Sequence, residues 1–571
     1  MAEGAAGVAK ARPRMSSDTV TSTLPGQMME RPLLISNILA HAVKNHPRRG
    51  IVARDETGLV RFTYDAFARR VGQLANALQR LGVRPGDRVA SFGWNSHRHL
   101  ELYYAVPSMG AVLHTVNIRL FPGQVAGTIA HAGDRIVFVD GALAGAVRAA
   151  IAADPALADC RFVIMGAAQE TLPNALDYES LLDEEPAEFA WPSFPETSAA
   201  LLCYTSATTS DPKAVLFSHR STYLHALGLM AADVFGLAER DVVLPVVPMF
   251  HVNAWGLPYV CPLAGASLVL PGARLDAPSL LDLIESEGVT FAAGVPTVWL
   301  AVRDEMRARE RSPQTLERIT VGGSAVPPAL FDELEKCGIR VIHAWGMTEM
   351  SPLGTVNAVT AELAAAAPAE RRRERLKQGA FSPLVDWQIR DDDGNAVPAD
   401  GVARGELWVR GPAVAASYYR NEAATATAFA DGWFRTGDIV TVDAHGFMEI
   451  VDRAKDLVKS GGEWISSVEV ENALMGHPAV REACVFGVTH ERWIERPVAA
   501  VVLRDGVSAD AEELRAWLAD RIAKWWIPDR IVFLESIPRT GVGKFLKREL
   551  RERYATLLTS GADVVAKNPS G

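Results

Sequence analysis

The sequence is poor in cysteine and has no paired cysteines. Its 571 residues include five cysteines, which lie tens of residues apart without a CxxC pair. This odd, dispersed set predicts neither a disulfide framework nor a zinc ribbon, so we expect a reduced, cytoplasmic compartment. An excess of basic charge is also lacking, because 58 basic and 68 acidic residues give a net charge of −10. That balance argues against a nucleic-acid partner, although it is compatible with a local basic site for a phosphate-bearing ligand.

The chain also lacks an uninterrupted apolar run. Its longest charge-free stretch, residues 242–273, exceeds the roughly 20 residues of a membrane span, but five prolines interrupt it. We therefore predict buried loops and short strands there, and no membrane span. The opening segment, residues 1–30, is rich in small and hydroxylated residues without a sustained apolar core. It predicts a disordered leader rather than a secretory signal.

Helical and strand patterns alternate from about Pro32 onward. Phe67, Val71 and Leu74 recur at spacings of four and three, which predicts a helix that ends at Gly82, before an apolar strand at 88–92. Further predicted strands are 135–140, 162–165, 290–293 and 340–343, and further predicted helices are 279–287 and 329–336. This alternation is typical of layered α/β architecture with largely parallel sheets.

The pattern changes in the last third of the chain. The Arg-rich segment 361–377 predicts a solvated helix, and short strands at 405–410 and 447–451 predict a β-rich subdomain. A compact α+β pattern follows, with strands at 483–488 and 498–503 and helices at 468–475 and 511–523. We therefore predict a large layered α/β N-terminal domain at 31–452, a small α+β C-terminal domain at 453–558 and a tail at 559–571.

The most informative stretch is the loop at 204–214, which reads YTSATTSDPKA and follows the strand-like run 199–203. Its hydroxyl groups can donate hydrogen bonds to phosphate oxygens, and Lys213 can supply a point charge. The loop is therefore a candidate polyphosphate site. A solvated loop between two strands is the plainer alternative.

Further segments strengthen the phosphate interpretation. They are WGMTE at 345–349, FRTGD at 434–438, DRAKD at 452–456 with KSGGE at 459–463, and PRTGVGK at 538–544. In this order they resemble the adenylate-forming superfamily of acyl- and aryl-CoA synthetases, luciferases and carrier-protein adenylation domains, over about residues 32–554. Segments 248–256, 344–352 and 460–467 are most similar to its fatty-acyl-CoA ligase group, which includes medium-chain and 3-methylmercaptopropionyl-CoA ligases.

The resemblance implies an ATP-dependent acyl-CoA ligase for a short- to medium-chain or related monocarboxylic acid. The acid would attack the α-phosphorus of ATP, and CoA would then displace AMP from the acyl-adenylate. ATP, Mg²⁺ and CoA are the implied cofactors and co-substrates, and a homodimer is the implied assembly. Two alternatives stay open: a catalytically impaired acyl- or nucleotide-binding relative or engineered variant, and a module that loads a carrier protein.

The resemblance also implies roles for residues of the N-terminal domain. The triphosphate loop would comprise Thr205, Ser206, Thr208, Thr209 and Lys213. Thr348 would contact the α-phosphate and Glu349 would hold Mg²⁺. The adenine would lie between Trp345, with Gly346 and Met347, and the segment Gly323, Ser324 and Ala325. The ribose hydroxyls would be held by Asp438 and Arg453, and His251 with Asn253 would line the junction of the acyl pocket and the CoA tunnel.

The C-terminal domain would be mobile. Lys544 would bridge the acyl carboxylate and the phosphate during adenylation. Rotation about Lys455 would then exchange Lys544 for a face that carries Lys459, Gly461 and Gly462. Taken singly, the candidate residues also fit structural roles. Lys544 and Lys459 could be surface lysines, Trp345 a core aromatic, Glu349 a solvated carboxylate and His251 a hydrogen-bonded structural histidine.

The chain departs from the family pattern at several glycine positions. Ala207, Ser210 and Ala214 stand in the phosphate loop where glycine is usual, and Ile494 replaces another glycine. Gly541 stands where a serine or threonine is common. A side chain in the left-handed region costs about 1 to 2 kcal/mol, so each glycine replacement is costly only where φ is positive.

Overall fold

The computed structural model describes residues 24, 26–205, 212–460, 463–539 and 545–558. Most of the predicted leader, the whole predicted tail and several candidate site residues lie outside these ranges. The site residues concerned are Ser206, Thr208, Thr209, Gly461, Gly462 and Lys544.

The first sheet of the N-terminal region has seven strands in the described part of the chain. In spatial order they are Leu176–Asp177, Arg161–Met165, Ile136–Asp140, Arg88–Phe92, Val112–Thr115, Ala199–Tyr204 and Ala214–Ser218. All neighbours run parallel except the last pair. Several strands are apolar almost throughout, as a sheet covered on both faces requires.

The second sheet begins as a parallel sheet and continues as an antiparallel one. Its parallel part runs Gly50–Asp55, Ser267–Leu270, Val242–Pro245, Phe291–Gly294, Arg318–Val321 and Arg340–Gly346, with Gly58–Thr63 antiparallel at the outer edge. The antiparallel part runs Leu353–Val356, Gly379–Phe381, Phe447–Arg453, Trp433–Val442, Gly405–Arg410 and Asp386–Arg390, with Phe429–Ala430 beside Trp433–Val442. This second part matches the predicted β-rich subdomain.

Helices surround and separate these sheets. The α-helices are Ile35–Asn45, Tyr64–Arg80, His97–Ser108, Pro122–Ala132, Ala144–Ala153, Tyr178–Asp183, His219–Met230, Leu257–Ala264, Ala277–Glu287, Pro296–Ala308, Pro328–Lys336, Ala361–Ala365, Pro368–Leu376 and Glu422–Ala428. Short 3-10 helices are Gly141–Leu143, Pro155–Asp159, Val252–Gly256 and Thr348–Met350. The largest core joins apolar side chains of both sheets to those of the helices between them, including the buried rings of Tyr64, Phe67 and Tyr104. None of the helices in the described ranges is long and apolar enough to cross a membrane.

The C-terminal region forms a separate sheet. Its strands are Glu463–Ile465, Val458–Ser460, Ile494–Leu503 and Val480–His490, with Arg530–Phe533 parallel to Ile494–Leu503. Its helices are Ser467–Met475, Ala511–Ala519 and Lys547–Arg553, with a 3-10 turn at Lys524–Trp526. The predicted layered α/β fold with a smaller α+β region is therefore confirmed. The predicted helix at 511–523 ends four residues early, at Ala519.

The prediction of only loops and short strands at 242–273 is wrong, because the helix Leu257–Ala264 lies within it. Pro258 stands in the first helical turn, where a missing N–H costs nothing. Pro262 lies in the interior and leaves the carbonyl of Pro258 without its usual helical donor. The hydroxyl of Tyr104 donates to that carbonyl instead, at 2.7 Å. A distant side chain therefore compensates for the proline.

The predicted solvated helix at 361–377 is correct only in part. The segment forms two helices, Ala361–Ala365 and Pro368–Leu376, and Arg372 and Arg373 are exposed. Arg375 is buried instead, with its guanidinium donating to the carbonyl of Val341 at 2.7 Å and lying 3.1 Å from Glu335. One face of the helix therefore belongs to the core.

Candidate active site

Thr205 and Lys213 close the base of the candidate triphosphate loop. The backbone N–H of Thr205 donates to the carbonyl of Lys213 at 2.8 Å, and the N–H of Lys213 donates to the hydroxyl of Thr205 at 3.2 Å. The residues between, 206–211, lie outside the described ranges. Ala214 lies in the strand Ala214–Ser218 and does not have a positive φ. Its Cβ is therefore compatible with the backbone at this glycine-replacement position.

The Thr348–Met350 turn brings a carboxylate close to the loop. It follows the strand Arg340–Gly346, and both Thr348 and Glu349 are buried. Glu349 Oε1 accepts a hydrogen bond from the Tyr418 hydroxyl at 2.7 Å. Burial raises the pKa of Tyr418, and the Glu349 carboxylate raises it further, so this hydroxyl stays protonated and acts as the donor.

Tyr418 also contacts the cation of the loop. The Lys213 ammonium lies 4.8 Å from the centroid of the Tyr418 ring, within the range of a cation–π contact. One tyrosine therefore connects Lys213 to Glu349. The sequence analysis missed it, although the aromatic pair Tyr418-Tyr419 that follows a run of small residues was a signal.

A second group of residues forms around Asp438. The indole N–H of Trp345 donates to Asp438 Oδ2 at 2.9 Å, and Arg453 Nε lies 2.6 Å from Asp438 Oδ1. Asp438 and Arg453 face each other across the paired strands Trp433–Val442 and Phe447–Arg453. The carboxylate is almost fully buried, so these partners replace the water that it would contact at the surface. The structure thus brings together three residues that the resemblance placed at adenosine.

Glycine is required where the Trp345 ring packs. A Cβ at Gly354 would lie 2.3 Å from that ring, so only glycine leaves it room. The indole is therefore fixed both at its nitrogen and against the backbone.

The predicted adenine segment lies on the adjoining parallel strand. Residues 322–325 follow Arg318–Val321, which pairs with Arg340–Gly346. Gly323 and Ser324 are exposed, and Ala325 is partly buried. Because the carboxyl ends of neighbouring parallel strands lie at one sheet edge, this segment lies close to the Trp345 side of the site. A Cβ at Gly322 would come within 2.9 Å of the Ala344 carbonyl, which accounts for glycine there.

The segment after His251 has an uncommon backbone. Val252, Asn253, Ala254 and Trp255 have φ of 39°, 47°, 49° and 54°, which form a left-handed turn of non-glycine residues. Such residues cost about 1 to 2 kcal/mol each and tend to cluster at functional sites. Asn253 Oδ1 is buried and finds no hydrogen-bond partner within the described residues. His251, which precedes the turn, is half-buried.

The described C-terminal candidates are more exposed. Lys459 is exposed, with its ammonium 5.0 Å from the centroid of the Trp464 ring and its backbone N–H donating to Glu495 at 3.0 Å. Ser460 pairs with Ile494, whose φ is +71° and whose side chain is 67% exposed. Ile494 is therefore a glycine replacement at a strained position, unlike Ala214. Burial lowers the pKa of Lys455, the expected hinge residue.

Family models match most of the chain. The model described as AMP-binding enzyme matches residues 39–419, and the model described as AMP-binding enzyme C-terminal domain matches residues 469–544.

Relatives in sequence and in structure extend over nearly the whole chain. The chain is 44% identical to 3-methylmercaptopropionyl-CoA ligase of Ruegeria lacuscaerulensis, over 94% of this chain and 99% of that protein. It is 47% identical to a long-chain-fatty-acid–CoA ligase of Thermus thermophilus, over 93% and 98% respectively. The crystal structure of ATP-bound MatB from Rhodopseudomonas palustris superposes with a TM-score of 0.79 at 25% identity, and covers 92% of this chain and 99% of that one. The chain therefore belongs to the AMP-binding enzyme family.

Proposed function

We propose that the protein is an ATP-dependent acyl-CoA ligase, which converts a monocarboxylic acid to an acyl-adenylate and transfers the acyl group to CoA. The observation that carries this function is that segment 345–349 joins both groups of residues, in a chain of the AMP-binding family. Trp345 donates to Asp438, and Glu349 accepts from Tyr418, whose ring lies against Lys213. The two sequence relatives named above are both CoA ligases, which supports the same reaction class.

The adenylation step needs positive charge where the phosphates are bound. Attack of the acid carboxylate on the α-phosphorus forms the mixed anhydride and expels pyrophosphate, so negative charge develops on phosphate oxygens. In this proposal the Lys213 ammonium neutralises part of that charge, and the Thr348 hydroxyl donates to the α-phosphate. Lys544 bridges the carboxylate and the phosphate. The hydroxyl groups of Thr205, Ser206, Thr208 and Thr209 bind the leaving pyrophosphate.

The residues present fit a magnesium ion shared with ATP. Glu349 supplies one buried carboxylate. Within the described ranges no three His, Cys, Asp or Glu side chains group into a metal cluster. A single carboxylate together with substrate phosphates is a common arrangement for Mg²⁺, which rarely has an all-protein cage. When bound, Mg²⁺ would supply positive charge to the phosphate oxygens.

Adenosine recognition falls to the second group of residues. Asp438 accepts hydrogen bonds from the ribose hydroxyls, and Arg453 donates to them. Trp345, with residues 346–347, faces the adenine from one side. Gly323, Ser324 and Ala325 face it from the other. The ion pair of Asp438 with Arg453 and the bond from Trp345 hold these side chains in place before the nucleotide arrives.

Transfer to CoA calls for a change of domain position. The strand Phe447–Arg453 belongs to the N-terminal sheet and Val458–Ser460 to the C-terminal one, so the connection near Lys455 is the natural hinge. We propose that the domains span 31–452 and 453–558 and that rotation replaces Lys544 with Lys459, Gly461 and Gly462. His251 lies where the thiol of CoA meets the acyl group.

The acid, the assembly and the location are finer proposals. We propose a short- to medium-chain or related acid. In this proposal Trp255, which packs against Gly322 and lies four residues after His251, limits the depth of the acyl pocket. A homodimer and a cytoplasmic location complete the proposal.

The test is a mass-spectrometric search for CoA thioesters. Purified protein is incubated with ATP, Mg²⁺, CoA and a mixture of acids from two to eighteen carbons. The expected product is one or a few acyl-CoA thioesters that require ATP, with AMP as co-product. Thioesters of long acids alone would overturn the acid assignment, and no thioester from any acid would overturn the ligase assignment.

A further inference from the structure

A short segment connects the two sheets across the candidate site. This bridging segment, residues 413–419, lies between the strand Gly405–Arg410 and the helix Glu422–Ala428. The N–H of Ala415 donates to the Glu349 carbonyl at 2.7 Å, and the N–H of Tyr419 donates to the Ala214 carbonyl at 2.8 Å. Glu349 follows a strand of the second sheet and Ala214 begins a strand of the first. The bridging segment therefore fixes the distance between the Glu349 turn and the base of the triphosphate loop.

Tyr418 is the side chain of this segment that contacts both charged groups. Its hydroxyl donates to Glu349 Oε1 at 2.7 Å, and the Lys213 ammonium lies 4.8 Å from its ring centroid. Its own position is set elsewhere: its N–H donates to Thr425 Oγ1 at 3.0 Å, and its ring meets Phe429 edge-on at 5.4 Å between centroids. Tyr418 is thus held by a helix and a strand outside the loop.

We propose that Tyr418 is a positioning residue for adenylation, which holds the Glu349 carboxylate and the Lys213 ammonium at the separation required by a magnesium-bound triphosphate. This inference rests on the proposed function. A hydrogen bond to an ionised carboxylate fixes its orientation, and an aromatic face holds a cation without neutralising it. Lys213 then depends less on the loop itself, in which Ala207, Ser210 and Ala214 replace glycines.

The first variant removes the hydroxyl alone. Tyr418→Phe retains the ring beneath Lys213 and loses the bond to Glu349. A hydrogen bond to a charged group typically changes a binding constant by about a factor of ten or more. We therefore expect the half-saturating Mg²⁺ concentration for ATP–pyrophosphate exchange to rise about tenfold. Calorimetric binding of ATP in the presence of Mg²⁺ should weaken by a similar factor. Binding of AMP without Mg²⁺ should stay within about twofold, since AMP lacks the phosphates that the carboxylate and the ammonium serve.

Two further variants separate the ring from the hydroxyl and guard against misfolding. Tyr418→Leu also removes the aromatic face, so ATP binding without Mg²⁺ should weaken by about fivefold more than in Tyr418→Phe. Tyr418→His retains a ring with an N–H donor. It should therefore raise the half-saturating Mg²⁺ concentration by less than Tyr418→Phe does. Tyr419→Phe is the matched control, because its ring contacts to His131 and Arg420 do not involve the candidate charges. It should behave as the wild type.

The outcomes distinguish this inference from the function on which it rests. Wild-type protein without ATP–pyrophosphate exchange would overturn the proposed function. An active wild type with unchanged magnesium dependence in Tyr418→Phe would overturn the positioning role alone. An equal loss of AMP and Mg²⁺·ATP binding in folded Tyr418→Phe would also overturn it, because that pattern indicates a general loss of the pocket. If Tyr418→Phe does not fold, Tyr418→His decides instead: a half-saturating Mg²⁺ concentration above the wild-type value with unchanged AMP binding supports the positioning role, and a wild-type value overturns it.

Discussion

The proposed nucleotide end and the proposed coenzyme end of the candidate site differ in how deeply their charged groups are buried. At the nucleotide end, Glu349 and Asp438 are buried, and each accepts a hydrogen bond from an aromatic side chain on another element. At the coenzyme end, Lys459 is exposed, and the strand beside it carries Ile494 at a positive φ. Side chains stabilise the charge that develops during adenylation best when they are fixed before the reaction. Acyl transfer instead requires side chains that a domain rotation brings into the site and removes again. The difference in burial agrees with the proposed difference in chemistry.

Lys544→Ala should separate the two ends most strongly. Loss of the bridging cation removes charge stabilisation from adenylation only, so ATP–pyrophosphate exchange should fall by at least about 10²-fold. Thioester formation from supplied acyl-adenylate and CoA should stay near the wild-type rate. Arg548→Ala, which removes an exposed cation of the following helix, is the control. Equal loss of both half-reactions in Lys544→Ala would contradict the assignment of this lysine to one end.

Asp438→Asn should weaken the nucleotide end without touching the coenzyme end. The amide keeps the volume but loses the charge that Arg453 pairs with, and one bond to a charged group is typically worth about 1.5 to 3 kcal/mol. We expect AMP affinity to fall about tenfold or more, measured by calorimetry. The exposed Asp400→Asn serves as the control. Unchanged AMP affinity in Asp438→Asn would place the ribose elsewhere.

Acid should destabilise the N-terminal region through its buried histidines. Burial lowers the pKa of His99, His219, His225 and His343 to about 4. Each therefore stays neutral when folded but takes up a proton when unfolded below the ordinary pKa of about 6.5. Their contribution to stability is complete above that pH and is lost as the pH falls toward 4.

Urea unfolding at pH 7 and pH 5 measures this effect. At pH 5, unfolding should take up about three to four protons through these groups, and His343→Gln should reduce the uptake by about one. Equal stability of the N-terminal region at the two pH values would show that these imidazoles are not held neutral.

The glycine replacements should give the smallest effects, of opposite sign at the two ends. Ile494→Gly removes a β-branched residue from a positive φ and should stabilise the C-terminal sheet by about 1 kcal/mol. Ala214→Gly should destabilise by about 0.5 to 1 kcal/mol, since Ala214 lies in a strand without a positive φ. Urea unfolding measures both. The reverse pair of signs would contradict the backbone assignments.

Local patterns predicted much of the fold because they depend on neighbouring residues. The spacing of Phe67, Val71 and Leu74 predicted the helix found at Tyr64–Arg80, and the apolar run at 88–92 matches a strand of the first sheet. The helix Leu257–Ala264 was missed, because Tyr104, which compensates for Pro262, lies far away in sequence. Local sequence patterns predict helices and strands, but they do not predict contacts between residues that are distant in sequence.

The site divides in the same way. Motif residues such as Trp345, Glu349 and Asp438 were predicted from their family pattern, and the structure brings Trp345 to Asp438. Tyr418 was not predicted, because its contacts to Glu349 and Lys213 join two sheets that meet only in the folded chain. Likewise, the sequence could not distinguish Ala214 from Ile494, since only the backbone dihedral angles separate a tolerated replacement from a strained one.

The most direct test of the account is acid-dependent ATP–pyrophosphate exchange by the purified protein in the absence of CoA. We predict exchange that requires Mg²⁺ and one of a panel of monocarboxylic acids, because the nucleotide end alone performs adenylation. Exchange at background level with every acid, in protein shown to be folded, would contradict the central claim.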